Sequence, residues 1–552
     1  MTTHYTDEKN IQILIALLKG HGIRKVIASP GATNITFVRS LQSDPYFEIY
    51  SSVDERSAAY IACGLAAETG EPVVLSCTGA TASRNYMPGL TEAYYRKLPI
   101  LAVTSTPETS KVGHHIAQVI DRSNLPNDVV KHSVQLPIIK DDNDWWSCEV
   151  KVNNAILELS RRGGGPVHIN LPIIYGQPFE TKELPKVRVI RRITQADEFP
   201  LMPEGKVAVF IGSHGKMTKE LIDTLEHFCE SNNAVVFCDH TSGYKGEYSI
   251  IHSLGSSQRI VDSEEFRPDL SIHIGEITGD YSANKVVGQQ VWRVSEDGEL
   301  RDTFRKLHCI FEMPEEVFFK HYANVKNNKS SEVYLKHCKD HLVKLYNKIP
   351  ELPFSNIWIA KKIHRLIPEN STVHFGILNS LRSWNFFELP KSVASNSNVG
   401  GFGIDGCVSS LVGASLANKD RLYFGVIGDL AFFYDLNSLG NRHIGNNLRI
   451  LLINNGTGTE FKNFNHIAAQ LGDSADTFIA AKGHFGNKSK TLVKNYCEDL
   501  GFEYLTASNK EEFEQVYKRF ITDKILDKSI IFEVFTCSED ESKALELITS
   551  IE

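Results

Sequence analysis

Apolar runs of strand length recur along this chain, each ending on small polar residues and separated from the next by a stretch with helical spacing. In the first third, KVIASPG, PVVLSCTG, PILAVTS and PVHINLP alternate with segments such as ERSAAYIACGLAAETG. That alternation predicts parallel strands covered by helices. KVAVFIGSHG, AVVFCDHTSG and LSIHIGEITG repeat the pattern in the middle, and NIWIAKKIHRLIP, STVHFGILNS and SIIFEVFTC mark a last block. The extended GQPFETKELPKVRVI and the Asn- and Lys-rich stretch at 326–331 separate the three. The expected fold is α/β, with parallel-sheet domains over residues 1–180, 190–335 and 352–552. The similar outer blocks point to a duplicated architecture.

The stretch 426–458, VIGDLAFFYDLNSLGNRHIGNNLRILLINNGTG, reads as strand, helix, strand, with Leu436, Leu439 and Ile444 at helical spacing. Gly428-Asp429 closes the first run and Asn454-Asn455-Gly456 the second. Both clusters therefore fall at the carboxyl ends of adjacent strands, the edge at which open α/β sheets bind ligands. Asp429 and Asn455 are hard oxygen donors. A chain turning after Asn455 adds a backbone carbonyl, which leaves room for two phosphate oxygens in an octahedral magnesium shell. An aspartate after a strand also suits a helix N-cap; the Asn pair at the next strand end favours the metal.

Composition narrows the partners. The 552 residues are 42% hydrophobic and 23% charged, an ordinary globular balance, with net charge −8 and no dense basic stripe. Nucleic acid is not an expected partner. Ten scattered cysteines show no CxxC pair and no zinc spacing, as expected of reduced thiols in a cytoplasmic protein. The N-terminal MTTHYTDEKNIQILIALLKGHGI reads as an amphipathic helix, not a signal peptide, and no apolar run reaches membrane-spanning length.

Four stretches together resemble the thiamine diphosphate (ThDP) enzymes of the acetolactate synthase and pyruvate decarboxylase superfamily. They are VDERSAAYIACGLA, GDL with NNGTG, VGGFGIDG, and VGHHIAQVID. The resemblance is strongest to the menaquinone-pathway synthase branch, which shares SPG, DER, GIDG and a GDL-x-x-x-YDLN sequence. It implies a pyrimidine-binding first domain, a central Rossmann-like domain and a diphosphate-binding third domain. By resemblance Glu55 hydrogen-bonds the pyrimidine nitrogen, and a carboxyl with a raised pKa can share its proton there. Ile404 would be the apolar wedge that bends the cofactor, although simple core packing also suits it. Asp429 and Asn455 would ligate Mg2+ by side chain and Thr457 by its carbonyl. Pro30, Gly31, Thr78, Gly403, Gly428, Leu430 and Gly458 would complete the cofactor-binding set. His114, His115 and Gln118 are catalytic candidates, one histidine suiting proton delivery after CO2 loss, with a loop or interface role as the alternative.

The departures bear on substrate. The synthase branch carries arginines where this chain has Thr33 and Val399, and Arg382 of NSLRSW is offset from a third. Arginine suits bidentate carboxylate recognition, so their loss argues against two dicarboxylate-like substrates. The expected activity is ThDP- and Mg2+-dependent decarboxylation of a 2-oxo acid, followed by addition of the acyl anion to an acceptor carbonyl or alkene. Simple release of an aldehyde is the alternative, and a catalytically silent ThDP-fold partner a second. The middle domain shows no GxGxxG fingerprint for FAD. The family also implies a homodimer or homotetramer with active sites at the subunit interface.

Overall fold

The computed structural model describes residues 3–174, 178–259, 266–324, 333–483 and 489–551. The stretch 326–331 and His484, a histidine in the segment expected to cover the site, lie outside the described residues. The chain divides into two compact units, 1–194 with 298–310, and 195–297 with 311–552.

The first unit is built on β1 (Lys25–Ala28), β2 (Glu48–Ser51), β3 (Val73–Cys77), β4 (Ile100–Pro107), β5 (His132–Gln135) and β6 (Val167–Ile173). Their order is β2-β1-β3-β4-β6-β5, all parallel. Every residue of β3, β4 and β6 is buried, as a parallel sheet covered on both faces requires. The helix Lys9–Gly20 buries nine residues on one side. The helix Glu55–Thr69 covers the other with Ala58, Ala59, Ala62 and Ala66. Those alanines permit close approach: a Cβ on Gly89 would lie 2.4 Å from the Ala59 Cβ. Asp54 starts this helix by accepting the Arg56 and Ser57 amides at 2.8 and 3.2 Å, and Gly70 ends it at φ 68°. β7 (Arg191–Thr194) also falls in this unit.

The second unit contains β8 (Val207–Ile211), β9 (Ala234–Cys238), β10 (Ser249–Ile251), β11 (Leu270–Ile274) and β12 (Gln290–Ser295), parallel in the order β10-β9-β8-β11-β12. The chain crosses the unit boundary within β13 (Leu307–Glu312). A further sheet holds β14 (Thr372–Phe375), β15 (Ala394–Ser397), β16 (Tyr423–Gly428), β17 (Leu448–Asn454), β18 (Glu503–Ala507) and β19 (Ile530–Phe535). Its order, β15-β14-β16-β17-β19-β18, reproduces that of the first sheet strand for strand. The duplicated architecture read from the sequence is present. In both sheets the order reverses next to the first strand, between β1 and β3 and between β14 and β16, where ligand crevices form in such folds.

One local expectation fails. The segment between β16 and β17 is not one helix but a short helix Asp429–Tyr434 followed by a 3-10 turn Leu436–Gly440. Asp435 sits at the break, and its carboxylate accepts the backbone amide and hydroxyl of Ser409 in the first turn of the helix Cys407–Ser415. The carboxylate thus satisfies an otherwise orphaned helix N-terminus, which fixes the break.

Glu541 is a buried carboxyl of the second unit's core. It accepts the Asn356 amide on both oxygens, at 3.0 and 3.1 Å, and the Thr536 hydroxyl at 2.7 Å. Burial pushes its pKa up to about 7 despite those bonds. The folded protein therefore holds this proton more tightly than the unfolded chain. The resulting stability is complete below the unfolded carboxyl pKa and is lost as pH rises through 7. Melting temperature should fall between pH 5 and 8, and Glu541→Gln should flatten that slope by up to ~3 kcal/mol in thermal unfolding across the range.

Candidate active site

In the first unit the loops after β1 and β3 meet at the point of strand-order reversal. A Cβ on Gly31 would lie 2.4 Å from the Thr78 Cβ, so only glycine fits beside that threonine. Thr33 is fully buried and locked: its hydroxyl meets Thr78 Oγ1 at 2.7 Å, donates to the Ser105 carbonyl at 3.0 Å and accepts the Gly79 amide at 3.1 Å. Asn34 ties the loop back to the Ser29 carbonyl at 2.9 Å. Pro30 is exposed at the tip.

Glu55 opens its helix after β2, half-buried, and its Oε2 accepts the Asn85 side-chain amide at 3.1 Å. Sequence reasoning did not single out Asn85; only its place in the turn-rich TGATASRN after β3 could have flagged it. His114, His115 and Gln118 are exposed on the loop after β4, with His115 at φ 54° and Gln118 at φ 64°. The Gln118 carbonyl lies 3.2 Å from where a Gly79 Cβ would be, so this loop packs directly on the β3 loop.

In the second unit, parallel register places Gly428 of β16 beside Ile453 of β17. Asp429, 3% exposed, accepts the Gly456 amide at 2.7 Å on Oδ2 and the Leu430 amide at 2.9 Å on Oδ1. The N-cap of its helix is Gly428, not Asp429, so the aspartate reaches across to the next strand end. Asn455 Oδ1 accepts the Thr457 amide at 3.3 Å, and Gly456 makes the turn at φ 75°. Thr457 donates its hydroxyl to the Ala480 carbonyl at 3.0 Å, and the Gly458 amide bonds the same oxygen. Beneath them Asn454 donates to Glu533 at 2.8 Å, and burial raises the Glu533 pKa.

Ile404 is half-buried, packed against the hydrophobic clusters on both faces of its sheet, and Gly403 leaves room for the Asp405 carboxylate. Leu430 is half-buried beside Asp429. Val399, 3% exposed, packs with Leu381 against Gly279. Arg382 pairs with Glu460 and lies 4.1 Å above the Tyr281 ring. His466 accepts the Ala468 amide at 3.1 Å, a capping role.

Glu55, His114, His115, Gln118, Pro30, Gly31 and Thr78 lie in the first unit; Gly403, Ile404, Gly428, Asp429, Leu430, Asn455, Thr457 and Gly458 lie in the second. The donor set of the second unit fits a magnesium diphosphate. One buried carboxylate and one amide oxygen stand at adjacent strand ends, and nothing lies within 4 Å of a Cβ on Gly428, which leaves that corner open.

The family model "Thiamine pyrophosphate enzyme, N-terminal TPP binding domain" matches residues 9–125. The fold and this match define a thiamine diphosphate-dependent enzyme. A 2-succinyl-5-enolpyruvyl-6-hydroxy-3-cyclohexene-1-carboxylate synthase of Bacteroides fragilis is 31% identical over 568 residues, covering 98% of both chains. Its counterpart in Bacteroides thetaiotaomicron is 30% identical over 98% of both. The chain belongs to the family of these synthases. A solved structure, the thiamine diphosphate-dependent 4-hydroxybenzoylformate decarboxylase of Rhodococcus jostii RHA1, aligns over 96% of this chain and 99% of that chain at 16% identity, with TM-score 0.41.

Asp429→Ala removes a hard oxygen donor and the acceptor of the Gly456 amide. It should weaken Mg2+-dependent ThDP binding roughly 10–100-fold in calorimetric titration, with circular dichroism unchanged.

Proposed function

We propose that the protein decarboxylates a 2-oxo acid and joins the acyl unit to an acceptor carbonyl or alkene, with ThDP and Mg2+ as cofactors. The observation that carries this reading is the meeting of Asp429 and the Asn455 turn at the ends of β16 and β17, closed by the Gly456 to Asp429 hydrogen bond. Bound ThDP supplies a carbanion-stabilising centre, chemistry no side chain provides. Asp429, Asn455 and the Thr457 carbonyl hold the metal, and Gly428, Leu430 and Gly458 shape the diphosphate turn. Asn85 fixes one oxygen of Glu55, which leaves the other to hold a proton against the pyrimidine nitrogen. Ile404, braced from both sides, orients the cofactor. Gln118 and one of His114 and His115 stand on an exposed loop suited to proton delivery at the reacting carbon.

The substrates differ from the relatives' in this reading. Thr33 and Val399 are committed to core contacts, so neither position offers a cation to a carboxylate. Arg382 already neutralises Glu460. The domain division at 1–180, 190–335 and 352–552 belongs to the same reading, supported by one sheet in each outer span with matching strand order.

The working form is a homo-oligomer that covers the apolar surface flanking Glu55. Val53, Tyr60, Ile61 and Tyr95 are 80, 48, 50 and 69% exposed, on the Glu55 helix and its neighbours. Such a patch marks an interaction face. A cytoplasmic setting is supported by ten free thiols, nine of them buried. No helix among the described residues is long and apolar enough to cross a membrane.

A panel of 2-oxo acids with ThDP and Mg2+ should release CO2 from at least one donor, with a ligated product detected by mass spectrometry once an acceptor aldehyde, ketone or alkene is added. Aldehyde alone, whatever the acceptor, would replace ligation by simple decarboxylation. Glu55→Gln should lower kcat about 10²–10⁴-fold; unchanged turnover would remove Glu55 from proton transfer.

A further inference from the structure

Arg122 is a buried cation that the fold of the first unit does not explain. It is 3% exposed, and its Nη2 donates to the Ser105 carbonyl at 3.1 Å. Its Nε and Nη1 have no hydrogen-bond partner, and no carboxylate among the described residues forms an ion pair with it. Burial lowers its pKa to about 10, so it stays charged at neutral pH. Cys77 is nearby, but burial pushes that thiol up to about 12, and it carries no compensating charge. Arg84 adds a second cation, donating to the Asp121 carbonyl at 3.0 Å.

Both arginines line a void of about 10 Å³ together with Tyr86, Thr104 and His168. A void of that size holds one water-sized sphere, so a halide, larger than water, enters as the lining side chains give way, the exposed Arg84 first among them. His168 is neutral, its pKa lowered by burial to about 3. Its two ring nitrogens are taken by Thr104 at 2.7 Å and Ser133 at 2.8 Å. It neither adds charge nor competes for the void. A water there would satisfy the free N–H groups and leave the charge uncompensated; an anion satisfies both.

We propose that this void is an anion site, taking a halide ion or one oxygen of a carboxylate, with Arg122 as its main ligand and Arg84 at its outer side. The site sits behind the loop that carries Gly79: a Cβ there would lie 3.9 Å from Arg122 Nη1 and 3.2 Å from the Gln118 carbonyl. Arg84 precedes Asn85, the residue that holds Glu55. An anion bound here would brace the loop after β3, which holds Glu55 through Asn85 and packs on the loop of His114, His115 and Gln118.

Crystals of the full chain soaked in sodium bromide should show an anomalous peak within hydrogen-bond distance of Arg122 Nε and Nη1. In solution, melting temperature should rise by a few degrees in bromide relative to gluconate at equal ionic strength. Arg122→Gln should abolish that rise. Should Arg122→Gln fail to fold, Arg84→Gln, altered at an exposed position, should still reduce it. If the anion is a substrate carboxylate, bromide has no effect, and Arg84→Gln raises KM about tenfold for 2-oxo acids with a second carboxylate only. That second arm rests on the proposed function; the bromide arm does not. An empty or water-filled void with no halide-specific stabilisation and no donor-dependent KM change overturns the proposal, whether or not any donor is decarboxylated.

Discussion

The Gly456 amide and the Asp429 carboxylate meet at 2.7 Å, and that contact sets the second unit's half of the site. Parallel strands in register bring their carboxyl ends to one edge, yet register alone leaves the loops beyond them free. The aspartate closes that freedom by reaching from the end of β16 to the turn after β17. It is nearly fully buried, and the amides of Leu430 and Gly456 donate to it. A divalent cation brought against such a carboxylate meets a ligand already oriented, with Asn455 on the same turn.

Placement of positive charge separates this chain from the pattern of its branch. The Thr33 hydroxyl makes three hydrogen bonds with neighbouring strand ends, and Val399 is enclosed by Leu381 beside a glycine that a Cβ would crowd. A guanidinium at either place would need space and solvation that the core no longer offers. Cations stand elsewhere: Arg382 between Glu460 and the Tyr281 ring, Arg122 beneath the β3 loop, Arg84 on the surface beside it.

Most of the fold was legible because fully buried parallel strands read as unbroken apolar runs, and the residues that end them are the ones that carry chemistry. KVIASPG, PVVLSCTG and LRILLINNG became β1, β3 and β17, and the duplication showed in two outer blocks that each alternate such runs with helices. The single helix expected after Asp429 was not legible. Leu436, Leu439 and Ile444 have helical spacing, but Asp435 is drawn away to cap another helix nearby in space and distant in sequence. Asn85, Arg84 and Arg122 were missed for the same reason. A half-buried amide or an orphaned guanidinium is defined by what surrounds it, and no periodicity records that.

Part of the backbone strain falls beside the site candidates. Among the described residues eleven non-glycine positions have positive φ, and five of them are Ala80, His115, Gln118, Leu378 and Phe402. Ala80 follows Thr78 and Gly79; His115 and Gln118 are in the loop after β4; Leu378 follows β14; Phe402 precedes Gly403 and Ile404. Each costs on the order of 1 kcal/mol and persists only where neighbouring packing over-determines it. These loops are held in place by the strands beneath and by one another, as the close approach of Gln118 to Gly79 shows. A loop fixed in this way cannot relax to make its own best contacts. The same loops border the groups that keep donors or acceptors unmet: Asn85, in the segment after β3, holds one oxygen of Glu55, and Arg122, behind Gly79, has two donors without a partner.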